Sequence, residues 1–192
     1  VSGLQGGGRE GGPLTRSRLT FVLAALFTLA ADFATKRLIA TTFYPHEVRR
    51  IVGDYLRLTY IHNPGAAFGL FPGSRPVLIG ISIAAVVVVV VVAWNRRNRP
   101  LGVIPLGLIL GGALGNLVDR IRLGEVVDFV QVGFPPETYF PVFNVADSAV
   151  TIGVFWLALG LLRSGKDEGV HLEESGDGEE SVAGVASSGD QT

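Results

Sequence analysis

The chain of 192 residues is 48% hydrophobic and 17% charged, with a mean hydropathy of +0.43, which excludes an ordinary water-soluble domain of this size and makes a membrane protein the expected class. Its formal net charge of −1 hides an asymmetry, because residues 1–163 carry 15 basic against 9 acidic side chains (+6) and residues 164–192 carry 1 against 8 (−7). Without cysteine there is no disulfide framework, thiol nucleophile or Cys-ligated metal centre; with only His46, His62 and His171, far apart, a His-rich metal site is not expected, so hydrolytic chemistry falls to carboxylates or hydroxyls.

Residues 1–17 read as a cytoplasmic N-terminal tail. The first of four apolar stretches follows at about 19–40, close to the roughly 20 helical residues that a hydrocarbon core requires. It carries Asp32 and Lys36 and is followed by no convincing small-residue cleavage site, so it is expected to be a retained span rather than a removed leader. The two charges lie four residues apart, acid first. An intrahelical ion pair and a place in a site both fit, and a support that also lines the site satisfies both readings.

Residues 42–74 are expected to form a small β-rich unit. Leu56, Leu58 and Tyr60 alternate with Arg57, Thr59 and Ile61, which gives one apolar face, and Asn63-Pro64-Gly65 supplies a turn. Asn63 is either a turn residue or a polar group offered to a site. The second span, about 76–94, contains the Val86–Val92 run, which suits a buried strand by propensity but a lipid-facing helix by its setting. Trp94 followed by Arg96, Arg97 and Arg99 marks its exit from the bilayer.

In the third span, about 101–118, Gly107, Gly111 and Gly115 share one face, a small-xxx-small spacing suited to close helix packing. Asn116, Asp119 and Arg120 come directly after it, as an interfacial cap or as the wall of a site. An outer loop over 119–142 is broken by Pro135-Pro136 and holds Asp128 among Val126, Val127, Phe129 and Val130, where desolvation favours the neutral acid. The fourth span, about 143–162, opens with Asn144-Val145-Ala146-Asp147-Ser148. Asp147 is there either an acid favoured by the helix dipole or part of a site. Residues 164–192, rich in Gly, Ser, Asp and Glu, are expected to be a disordered acidic cytoplasmic tail.

Orientation follows from the density of basic residues rather than their total, since eight belong to each face. Three arginines in one short connection dominate the positive-inside rule and put both termini in the cytoplasm. Asp128 and Asp147 then share the outer face. Two carboxylates brought together there cannot both ionise easily; one keeps a proton while the other takes one from water, which is the arrangement of an aspartic protease.

Asp32-x3-Lys36, Asn63-Pro64-Gly65-Ala66-Ala67-Phe68-Gly69, the run from Gly111 to Arg120, Val126-Val127-Asp128-Phe129 and Phe143-Asn144-Val145-Ala146-Asp147-Ser148 together resemble the bacterial lipoprotein signal peptidases, also called signal peptidase II. The motifs stand in the order and spacing of that family, over about residues 18–163. The resemblance implies a membrane α-helical fold of four transmembrane helices with a small extracytoplasmic β-cradle and a short amphipathic segment. It implies an aspartic endopeptidase of the bacterial cytoplasmic membrane, active at the extracytoplasmic face, that removes the signal peptide of prolipoproteins before a diacylglyceryl-modified cysteine. The family's catalytic pair falls on Asp128 and Asp147. Asp32, Lys36, Asn63, Asn116, Asp119, Arg120, Asn144 and Ala146 fall on positions that support the pair or hold substrate. No cofactor, metal or nucleic acid is called for; prolipoproteins and membrane lipids are the expected partners of a monomer. A small transporter and a non-catalytic membrane scaffold are the competing readings, the first disfavoured because the acids cluster at one face, the second because it leaves Asp128 and Asp147 unused.

Overall fold

The computed structural model describes residues 13–65, 75–95, 102–134 and 138–180, with side chains over 16–65, 75–95, 102–134 and 138–163. Among these described residues, four helices are long and apolar enough to cross a membrane: α1 (Pro13–Thr42), α2 (Arg75–Asn95), α3 (Val103–Arg122) and α4 (Val145–Glu180), whose apolar span is Val145–Arg163. Helix α1 starts earlier than the apolar pattern does, with Pro13 at its first position, where a missing N–H costs nothing. Helix α3 runs past residue 118, so Asp119 and Arg120 belong to its last turns rather than to the loop expected from residue 119. It stops where Leu123 N–H closes on the Asp119 carbonyl at 2.7 Å and Gly124 takes up φ +86°.

The fourth helix also departs from expectation at both ends. Phe143 and Asn144 lie outside it, and its backbone continues beyond the apolar span to Glu180, into the segment expected to be disordered. No proline interrupts residues 145–180, so a helix already nucleated in the span can propagate into the acidic sequence. Residues 181–192 lie outside the described residues.

Helix α3 is the hub, packed against α1, α4 and α2. Glycines make this possible. A Cβ on Gly111 would stand 2.5 Å from the Ala25 carbonyl oxygen, and one on Gly107 would stand 2.7 Å from that of Phe21, both on α1. On the other side Gly112 meets the Ala146 carbonyl of α4. Leu106, Ile109 and Val89 form a small core between α3 and α2, while Val87, Val88 and Val91 of α2 point outward, so the valine run is a helix with a lipid-type face. At one end of the bundle the Arg18 guanidinium lies 4.9 Å from the Trp94 ring, joining the start of α1 to the end of α2. At the other, Arg75 donates to the Arg120 and Ile121 carbonyls at 3.0 and 2.8 Å, tying the start of α2 to the end of α3.

A four-stranded antiparallel sheet lies at this second end, in the order β1 (Val48–Val52), β2 (Leu56–Asn63), β3 (Val126–Phe134), β4 (Thr138–Tyr139). It corrects the sequence reading, which confined strands to residues 42–74 and left 119–142 as a loop. Val126 to Phe129 are all buried, so the apolar residues of β3 flank Asp128 on both sides without the alternation that announces a strand. The facing of β2 is corrected too. Thr59, on the face read as polar, is the most buried residue of the strand at 2% exposure, and Arg57 on that face stacks 4.1 Å over Tyr139. The short amphipathic segment has no counterpart among the described residues.

Candidate active site

The site begins with the way α4 starts. Asn144 precedes the first helical residue, and its Oδ1 accepts the Asp147 N–H at 2.9 Å while Asp147 Oδ2 accepts the Asn144 N–H at 3.2 Å. This reciprocal capping box satisfies two of the N–H groups that a helix start leaves without partners. It also fixes the Asp147 carboxylate at the sheet end of the bundle. The second Asp147 oxygen, Oδ1, accepts from Asn116 Nδ2 at 2.7 Å, on the adjacent α3.

Strand pairing delivers the other acid. Asn63 is opposite Val126 and Ile61 is opposite Asp128, so the Asn63 and Asp128 side chains are diagonal neighbours across β2 and β3. Asn63 Nδ2 donates to Asp128 Oδ2 at 2.8 Å, and Asn144 Nδ2 donates to Asp128 Oδ1 at 2.7 Å. Each carboxylate is thus held by two N–H donors, and no hydrogen bond joins one acid to the other among the described residues. The link between them is Asn144. Asn63 also closes the turn expected of it, its Oδ1 accepting the Gly65 N–H at 3.0 Å.

Beneath the pair lies an ionic centre. Lys36 Nζ is 2.8 Å from both Asp32 Oδ2 and Asp119 Oδ2, and it donates to Asn116 Oδ1 at 3.0 Å. Asp32 Oδ1 in turn accepts the N–H of fully buried Ala146 at 2.9 Å, and Asp119 Oδ2 accepts the Val127 N–H at 3.4 Å. One cation therefore compensates a buried acid, Asp32, and a partly buried one, Asp119, on different helices, and each acid anchors the backbone next to a member of the pair. Removing a single member of such a cluster leaves an uncompensated buried charge, typically costing about 3–5 kcal/mol.

Asp128 is 2% exposed. Burial foremost, and the Asp147 charge after it, raise its carboxyl from an ordinary 3.8 to about 6 against the opposing pull of the Asn63 and Asn144 donors. Both acids line a groove of about 1050 Å³ between the sheet and helices α2, α3 and α4. One part of its wall is polar, with Asn63, Asn116, Ser82 and Arg120; another is apolar, with Ile81, Ala85, Val150 and Ile152. Among the described residues the Arg120 guanidinium makes only long contacts of 3.5 Å, to Ser82 Oγ and to the Asn116 and Gly65 carbonyls, and its buried Nε has no partner. A guanidinium so loosely held has donor capacity to spare. Among the described residues no three His, Asp or Glu side chains converge in a way that could hold a metal ion.

Every residue singled out from the sequence thus meets in one place. Asp32, Lys36, Asn63, Asn116, Asp119, Asp128, Asn144, Ala146 and Asp147 form a continuous network, and Arg120 borders it on the groove. Ser82 and Arg75 were not foreseen. A lone hydroxyl in the apolar α2 and a cation at that helix's unfavourable N-terminal end are the signals that point to them.

Residues 24–163 match the family model described as "Signal peptidase (SPase) II". The chain is 41% identical to the lipoprotein signal peptidase of Moorella thermoacetica over 152 residues, covering 79% of this chain and 98% of that protein. It is also 41% identical to the lipoprotein signal peptidase of Pseudomonas putida over 157 residues, 79% of this chain and 91% of the other. A solved bacterial membrane enzyme superposes with a TM-score of 0.71 at 33% identity, over 77% of this chain and 90% of that one.

Proposed function

The chain belongs to the signal peptidase II family, and from that membership we propose that Asp128 and Asp147 are the catalytic pair with which it cleaves its substrate. It is a membrane protease that removes signal peptides from prolipoproteins. The observation that carries the catalytic assignment is that two carboxylates, from β3 and from the first turn of α4, face one groove and are joined through the single amide of Asn144.

In the proposed reaction a water between the acids gives a proton to the ionised aspartate as its oxygen attacks the scissile carbonyl. The protonated aspartate hydrogen-bonds that carbonyl, and the collapsing tetrahedral intermediate releases the amine with a proton returned from the pair. The amide N–H donors around both acids hold them in position before substrate arrives. Arg120 and Asn63 hold the peptide extended, while the apolar wall formed by α2 and α4 takes the hydrocarbon of a diacylglyceryl-modified cysteine, before which the bond is cut. The charged network gathers at one end of the bundle rather than crossing it, which supports a surface-facing hydrolytic site over a transport relay. The site end faces the extracytoplasmic side and the arginine-rich connection between the second and third spans faces the cytoplasm, by the positive-inside rule. One chain is the working unit, because every member of the network comes from it.

The test is cleavage of a diacylglyceryl-modified prolipoprotein by the purified chain, followed as a gel shift. Asp128→Asn and Asp147→Asn are each expected to abolish it. Cleavage surviving in either variant removes that aspartate from the pair.

A further inference from the structure

We propose that Lys36 is the positioning residue that makes the pair asymmetric: acting through Asn116, it holds Asp147 as the resting anion and leaves the proton on Asp128. This inference rests on Asp128 and Asp147 being the catalytic pair and assigns their resting roles.

The hydrogen-bond polarity of the site follows from groups that can only donate. An ammonium has no acceptor, so Asn116 must turn Oδ1 to Lys36 Nζ, and its NH2 group is therefore aimed at Asp147 Oδ1. A backbone N–H likewise only donates, so Asn144 must turn Oδ1 to the Asp147 N–H and its NH2 group to Asp128. Both amide orientations are set by chemistry rather than by choice.

The two carboxylates then differ in the quality of their donors. Asp147 accepts from an amide polarised by a cation and from the Asn144 N–H at the positive end of the α4 dipole. It is also partly open to the groove. Asp128 accepts from two amides, with no cation in ion-pair contact, between buried Val127 and Phe129. The other charged groups nearby do not reverse this order. On α1 and α3, Asp32 and Asp119 both contact Lys36 and anchor backbone N–H groups. Arg120 forms no ion pair with either aspartate. At the rim, the exposed His62 pairs with Glu125 at 3.3 Å. Through Asn116, the charge that Asp147 meets is the Lys36 ammonium, while through Asn144 it meets only the Asp128 carboxyl.

The test compares the parent chain, Lys36→Met and Lys36→Arg by the pH dependence of kcat/KM on a diacylglyceryl-modified prolipoprotein in detergent. Losing the cation disfavours the anion beside Asn116, so the acid limb of Lys36→Met is expected to move up by about one pH unit, about a tenfold loss on the acid side. Lys36→Arg keeps the charge and is expected to keep the parent limb. A uniform fall in rate with the limb unmoved reduces Lys36 to a structural part and overturns the proposal. Should Lys36→Met not fold, infrared difference spectra of 13C-aspartate-labelled protein decide at about pH 5, below the value of about 6 at which Asp128 titrates. A protonated-carboxyl band that persists in Asp147→Asn and vanishes in Asp128→Asn supports the assignment, and the reverse pattern overturns it. Failure of the catalytic pair itself reads differently, as cleavage retained in one of the two aspartate variants.

Discussion

Asn144 donates from Nδ2 to Asp128 Oδ1 at 2.7 Å and accepts the Asp147 N–H on Oδ1 at 2.9 Å, so one buried amide both caps α4 and joins the two acids. The two jobs can be separated. Serine at this position caps a helix about as well as asparagine but has no NH2 group to reach Asp128. Asn144→Ser is expected to lose roughly 10- to 100-fold in kcat while the protein stays folded. Asn144→Ala loses the cap as well, and its thermal denaturation in detergent should show about 1 kcal/mol further destabilisation.

The glycine stripe of α3 is a packing device, and substitution along it should follow the space available. Gly111→Ala drives a methyl to 2.5 Å from the Ala25 carbonyl, and Gly112→Ala meets the Ala146 carbonyl; backbone cannot yield cheaply in either case. Each is expected to destabilise by about 1–3 kcal/mol. Gly80 on α2 has nothing within 4 Å of a would-be Cβ, so Gly80→Ala should be neutral or raise stability by up to about 1 kcal/mol. Melting curves of the three variants side by side check the order.

Asp128 sets a pH dependence with a defined sign. Burial raises it to about 6, so it keeps a proton where an exposed aspartate has lost one, and as the acid partner it is depleted above that value. The kcat/KM profile should therefore fall on its alkaline side. Asn63 Nδ2 stabilises the Asp128 anion, so Asn63→Leu should move that alkaline limb to higher pH, whatever it does to the maximum rate.

The same shift acts on stability. Because the folded value lies above the unfolded 3.8, the contribution of Asp128 is fully present below about pH 4 and is lost as pH rises through about 6. Its upper bound is about 3 kcal/mol. Melting temperatures of the parent should decline across that window, and those of Asp128→Asn should lack this component.

The acidic C-terminal segment is remote from the chemistry. Residue 168 lies 21 helical residues beyond Asp147 on α4, about 30 Å along the axis. Deleting residues 168–192 should leave cleavage of a prolipoprotein unchanged in a gel-shift assay, and a large loss would give the segment a role in the reaction.

Local properties of the chain were legible in its sequence. Four apolar stretches declare four spans because the bilayer thickness sets their length, and Gly107, Gly111 and Gly115 announce a close-packed face because helical spacing puts them on one side. The asymmetry that began with a net charge of −1 also belongs to sequence alone. Most residues of the site could be named because carboxylates and amides at span ends are rare enough to stand out. The strand β3 could not, since a run buried on both faces loses the alternation that marks a strand.

The tertiary structure decided which donor meets which acceptor. Asp32 anchors the N–H of Ala146 across 114 residues, Asn116 reaches Asp147 across 31, and Lys36 serves acids from two helices at once. Asp128 and Asp147 could be paired on paper by environment, but their meeting through Asn144 depends on the β2–β3 register and on where α4 begins. Periodicity reports only which side of its own element a residue occupies. Hydrogen-bond partners are chosen by the packing between elements, which the α3 glycines, the strand register and the Asn144 cap set together.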